Sequence, residues 1–316
     1  MELLHFYTAQ TSQTFSSSAV RNEVWRNYVP KIAFSNHFLL HGILALSAVH
    51  LSRLAPERKS SLSNAASQHN SQALPMFIET LDNIDDASFE ACALFGMVVA
   101  VYEWAKRTDV IELFFHDEKF DNSQKEATSN WIHLLHGSGK IIARFFDEID
   151  QTPLVNIISI DLAYEAAARE NLLEQVRFEE IRALWKDSTT SSIQVTEEEF
   201  PVYDQVLERL QIFYTAMAVP EYGNNPSNMA LAWLCTIDAS FFTFLTQRRP
   251  IALVLLAHFT LLLNKVEDFW WLEGISRSLL REINKMLGHE GKIWLAWPMQ
   301  DLMLHEFRKE SASGAS

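Results

Sequence analysis

Ala91-Cys92-Ala93-Leu94-Phe95-Gly96-Met97-Val98-Val99-Ala100-Val101-Tyr102 carries no charged side chain. Phe89, Ala93, Leu94, Met97, Val98 and Val101 recur at helical spacing, and the residues between them leave no polar face. A helix of that kind must be enclosed by other helices. Ile251 to Leu263, opening after Arg249-Pro250, repeats the pattern, with proline suited to a first helical turn. Two such segments predict an all-α fold, a multi-helix domain with buried central helices.

Working outward, Asp85 is placed to cap the first of these helices, with Asp86 in its first turn. His37 to Leu54 is a long helical run ending before Pro56. A polar stretch, Glu57 to Asn70, then leads into Ala73-Leu74-Pro75-Met76-Phe77, where Pro75 starts or kinks a helix. Arg107 to Ser129, interrupted by Phe114-Phe115, reads as a surface loop before a helix begun by Trp131. Asn224-Asn225-Pro226 is a turn followed by another proline-initiated helix. Val155 to Ile160 is the longest β-branched run and is compatible with a strand, though no partner is evident. The expected organisation is one helical domain over residues 1–309 and a disordered tail over 310–316.

With 316 residues, 48% of them hydrophobic, the chain is long enough to bury a core without disulfides or metals. Its two cysteines, Cys92 and Cys235, lie in separate apolar runs and read as buried thiols of a reducing compartment, the nucleus or cytoplasm. A formal charge of −14 opposes the phosphate backbone, which argues against direct nucleic-acid binding. Ala91–Tyr102 and Ile251–Leu263 fall short of the about 20 apolar residues of a membrane span, and Met1 to His5 lacks the features of a secretory signal.

The chemistry-bearing motifs are incomplete. His136-Gly137-Ser138-Gly139-Lys140 resembles a phosphate loop, but Leu134 stands at the first glycine position and Ile141 replaces the magnesium-ligating hydroxyl. Helix packing through its glycines is the simpler reading. His37 and His41, one turn apart, could face one metal, yet no third ligand is near in sequence, so no metal and no cofactor are expected. Asp82-Asn83-Ile84-Asp85-Asp86 reads as turn and capping chemistry. Asp238, a lone carboxylate among apolar neighbours, is either a cap for the helix from Ala239 or a buried general acid. Glu103 has Arg107 one turn on as its expected ion-pair partner.

Several stretches resemble the regulatory domain of fungal binuclear-zinc-cluster transcription factors, the sterol-uptake-regulator branch above all. They are Leu3 to Thr8, Trp25, Val29-Pro30, Ala33-Phe34, the run His37 to Leu51, Ala73-Leu74-Pro75, Trp131 to Gly137, Arg249 to Leu253, Ala257-His258-Phe259, Phe269 to Gly274 and Trp294 to Pro298. The resemblance implies an all-helical domain that holds a sterol in an apolar pocket and controls an attached DNA-binding domain. The six clustered cysteines of that DNA-binding domain have no counterpart here, so any transcriptional role is expected to be indirect.

The leading expectation is a transcription-regulator-like protein of a filamentous fungus that binds a hydrophobic small molecule, a sterol or terpenoid, and acts through a protein partner or as a homodimer. The candidate ligand residues are His41, Trp104, Phe241, His258, Trp270 and Trp271. One alternative is a cofactor-free cyclase or isomerase of secondary metabolism using the same pocket, with Asp238, His41, His258 and Glu103 as proton donors or acceptors. Another is a truncated heterodimerisation partner of a zinc-cluster factor.

Overall fold

The enclosed helix predicted around Ala91 is Phe89–Lys106, and every residue from Ala91 to Tyr102 is buried. It belongs to a computed structural model that describes residues 1–107, 109–115, 122–158, 175–186, 195–218, 226–288 and 290–313. All regular structure among the described residues is helical, as the apolar periodicity requires. Helices of eight residues or more are numbered α1 to α11, and they gather into two compact units.

The first unit comprises Met1–Thr108, Asn122–Ser159 and the short segment Phe269–Trp271. It contains α1 (Glu2–Ala9), α2 (His37–Leu54), α3 (Lys59–Leu81), α4 (Phe89–Lys106) and α5 (Asn122–Arg144). α2 and α3 form a hairpin around a 3₁₀ turn at Pro56–Arg58, while α4 packs against both α2 and α5. α3 covers most of the stretch read as a polar segment before Pro75. Its buried residues are only Leu62, Ala66, Ala73 and Phe77, a single stripe at helical spacing that tolerates polar residues everywhere else. Pro75 lies inside this helix and starts none.

α4 meets α5 where glycine is obligatory. A Cβ placed on Gly96 would lie 2.0 Å from Ser138 Oγ and 2.6 Å from the Leu134 carbonyl oxygen. The glycine that allows close packing is therefore Gly96, whereas Gly137, in the phosphate-loop-like run, faces open space. α4 begins after Ser88. Asp85 organises the preceding turn, its Oδ1 accepting from Ser88 Oγ at 2.7 Å and from the Ala87 N–H at 3.2 Å.

Three local expectations need correction. α5 starts at Asn122, upstream of Trp131, and Leu113, Phe114 and Phe115 are buried, so the stretch from Arg107 is not a plain surface loop. Val155–Ile158 forms one helical turn, not a strand, with Ile157 inward. Among the described residues, one continuous helix, α2, is long and apolar enough to cross a bilayer by length and composition. Phe38, Leu39, Ile43 and Leu46 of α2 are each no more than 3% exposed, however, because α1, α3 and α4 cover them.

The second unit comprises Asp109–Asp121, Ile160–Asp268 and Leu272–Ser316. It contains α6 (Gln175–Lys186), α7 (Phe200–Ala218), α8 (Pro226–Thr236), α9 (Pro250–Asn264), α10 (Ile275–Leu287) and α11 (Ala296–Ser313). α9 begins at Pro250 and is buried from Ile251 to Asn264, with α7, α8, α10 and α11 around it. α10 shows the opposite design, turning Ile275, Leu279, Leu280 and Ile283 inward and its charges outward. α11 continues to Ser313, into the stretch read as tail; Ala and Ser cost a terminal helical turn little.

Candidate functional site

In the first unit, chemistry collects along α2. His41 projects toward α3 and meets His69, with the two Nδ1 atoms 2.8 Å apart and the rings 5.0 Å between centroids. One Nδ1 donates and the other accepts, so the pair requires at least one neutral imidazole. Burial holds both below the ordinary histidine value, with the nearby His37 adding to the effect on His41 and His41 adding to that on His69.

About two and a half turns further along α2, His50 shares a hydrogen bond with Thr11 Oγ1 at 3.1 Å and stacks on Trp270 at 4.4 Å. Burial, then the charge of Arg53, pushes its pKa down to about 4. Trp270 donates its indole N–H to Thr14 Oγ1 at 2.9 Å, and Arg53 Nη1 donates to the Trp270 carbonyl at 2.8 Å. Thr14, His50 and Arg53 thus hold a segment that arrives from more than 200 residues downstream.

Next to it, Trp104, Trp131 and Trp271 form an indole cluster. Trp104 meets Trp131 edge to face at 5.6 Å and Trp271 at 6.2 Å. Trp271 is 1% exposed and its N–H has no acceptor among the described residues. Arg107 fixes the segment from behind, donating to the carbonyls of Trp104 and Trp271. The expected Glu103–Arg107 pair is therefore replaced. Glu103 pairs with Lys106 at 2.9 Å, and burial raises its carboxyl above the usual range.

The other predicted residues lie in the second unit. Phe241 is fully buried against Trp233, which itself stacks on Phe259 at 4.3 Å. His258, 1% exposed, donates from Nδ1 to the Val254 carbonyl at 2.8 Å and faces the edge of Trp297. Burial pushes it down to about 4. Asp238 is exposed; its Oδ1 accepts the Ser240 N–H at 2.8 Å, which is the capping role. Each of the four acid–base candidates is engaged locally: Asp238 caps, Glu103 is ion-paired, His258 is tied to its own helix and His41 contacts His69.

An open groove of ≈ 500 Å³ lies elsewhere in the first unit, lined by Leu4, His5, Arg26, Pro30, Lys31 and Phe34 among others, and none of the predicted ligand residues borders it. The motif residues of this region are joined by the Tyr7 hydroxyl, which donates to the Trp25 carbonyl at 3.1 Å. Sequence reasoning missed His69, His50 and Trp131 as site residues. The signal for His69 was its place in the inward stripe of α3, visible only once residues 59–81 are read as one helix.

Fold and site together define an all-α protein built around two enclosed helices, with indole and imidazole groups as its distinctive buried chemistry. The chain belongs to the family described as the fungal specific transcription factor domain, whose model matches residues 2–162. It is similar to a Zn(2)-C6 fungal-type transcription factor of Gibberella zeae, 24% identical over 322 residues covering 96% of this chain and 62% of the relative. It is also similar to sterol uptake control protein 2 of Saccharomyces cerevisiae, 28% identical over 164 residues covering 52% of this chain and 17% of the relative. A protein of the same name from Candida albicans is 25% identical over 166 residues, 51% of this chain and 21% of the relative. The chain thus spans less than two thirds of the length of each of these relatives.

Proposed function

We propose that the protein is a transcription regulator acting in the nucleus or cytoplasm through protein partners, and that it responds to a hydrophobic small molecule of the sterol or terpenoid class. The observation that carries the regulatory reading is the alignment of 96% of this chain with a zinc-cluster factor. Similarity to two sterol uptake control proteins supports the ligand class. The indole cluster supplies matching chemistry. A buried N–H without an acceptor costs about 1–3 kcal/mol, and Trp271, whose ring meets Trp104, buries such an N–H. A single hydroxyl or carbonyl on an otherwise apolar ligand would satisfy it.

The test is a fusion of the chain to a heterologous DNA-binding domain driving a reporter, read while sterol supply is varied. Reporter output should follow the sterol. Trp271→Phe, which keeps the ring and removes the donor, should weaken the response by about tenfold, the loss of one buried hydrogen bond. A flat reporter, together with no thermal shift of purified protein across a sterol and terpenoid panel, would sink the ligand reading.

A further inference from the structure

We propose that His41 and His69, completed by His37, form a binding site for a divalent transition metal of the zinc type on the α2–α3 hairpin. The argument begins with the seam between these helices. On α3 the inward residues are Leu62, Ala66, Ala73 and Phe77, and His69 falls in the same stripe between Ala66 and Ala73. On α2, Phe38 packs against Phe77 at 5.5 Å, one turn from His41. Two apolar side chains would close this seam without the desolvation that two imidazoles impose. Their presence at matched positions on both helices asks for a role that carbon cannot fill.

The geometry suits a metal. The two Nδ1 atoms face each other across the seam, 2.8 Å apart. Two imidazole nitrogens bound at about 2.0–2.1 Å to a tetrahedral ion stand about 3.3 Å from each other. Admitting the ion therefore needs the rings to separate by about half an ångström, and both are only half-buried. The donor ring moves its proton from Nδ1 to Nε2, so both ligands stay neutral and no proton leaves the pair. Neutral imidazole nitrogen is a ligand for zinc, copper and nickel.

The third ligand is His37. Among the described residues, no three histidine, cysteine or carboxylate side chains are gathered around a point as they stand. His37, however, precedes His41 by one turn and is exposed. Residues four apart share a helix face, so rotation of a free surface side chain brings its imidazole to the same ion. Two ligands from α2, one from α3 and a water complete a tetrahedral shell, and the ion fastens the hairpin.

The full-length chain, stripped with a chelator, is titrated with zinc chloride by calorimetry, and its thermal melt is followed with and without zinc. One equivalent should bind and raise the melting temperature. His41→Ala and His69→Ala should each weaken binding by more than about a hundredfold, beyond the loss of an outer-shell partner, with a smaller loss in His37→Ala. Circular dichroism checks folding, and His69→Gln, which keeps a polar side chain in the seam, carries the test if an alanine variant unfolds. Undiminished zinc binding in folded His41 and His69 variants would place the ion on other histidines, of which the chain has 11 in all, and would overturn the site. Absence of saturable binding in the unsubstituted chain would do the same.

Discussion

His258 shows how one buried side chain makes stability depend on pH. Its Nδ1–H is committed to the Val254 carbonyl, it is 1% exposed, and its folded pKa is about 4. In the unfolded chain the same group titrates near 6.5. Between these values the unfolded chain takes up a proton that the folded chain refuses. The contribution is therefore present in full above about pH 6.5 and is lost as pH falls toward 4, to a limit of about 3 kcal/mol. His50, also lowered to about 4, adds a loss in the same window. Urea midpoints measured from pH 7.5 to 4 should decline below pH 6.5, and His258→Leu should flatten that decline whatever it does to stability at pH 7.5. An unchanged slope would assign the acid loss to other groups. Asp238 teaches the complementary lesson. Apolar neighbours in sequence suggested burial, but the carboxylate follows a helix and precedes one, and chain geometry at that corner turns it to solvent as a cap.

Between elements, the tightest constraint is the crossing of α4 and α5. Gly96→Ala places a methyl group against Ser138 Oγ and the Leu134 carbonyl, and the second of these belongs to the backbone and cannot rotate away. Overpacking of this kind costs about 1–3 kcal/mol, and the loss should read as a lower urea midpoint with an unchanged slope. Adding Ser138→Gly removes the nearer clash only, so the double variant should recover part of the loss and no more. Full recovery would show that the carbonyl contact is relieved by a helix shift.

The same two helices mark what can be read from sequence at this scale. α4 and α9 were legible because an all-round apolar run admits one placement, inside. α3 was not, because four inward residues among many polar ones leave too weak a period to join across Pro75. His69, and with it the imidazole pair, stayed hidden for that reason. Pairings between elements, such as Gly96 against Ser138 or Trp271 against Trp104, depend on contacts across long sequence separations that no local pattern encodes.

For the whole molecule, the chain order of the first unit has a consequence for how it can be divided. The family model ends at residue 162, yet the unit it covers is completed by Phe269–Trp271. Trp270 covers His50 and bonds Thr14, while Trp271 is buried beside Trp104 with its carbonyl held by Arg107. A fragment of residues 1–158 therefore leaves the indole cluster one ring short and exposes His50. Loss of a buried tryptophan costs about 3–5 kcal/mol, a large part of the about 5–15 kcal/mol that keeps a domain folded. The fragment should retain helical far-ultraviolet dichroism but lose its near-ultraviolet signal and bind a hydrophobic dye. Trp271→Ala in the full chain should lower the melting temperature by several degrees, a smaller version of the same defect. A fragment that melts cooperatively with a native near-ultraviolet spectrum would show that the first unit is complete without the segment, and that the two tryptophans anchor the downstream chain instead of supporting the upstream core.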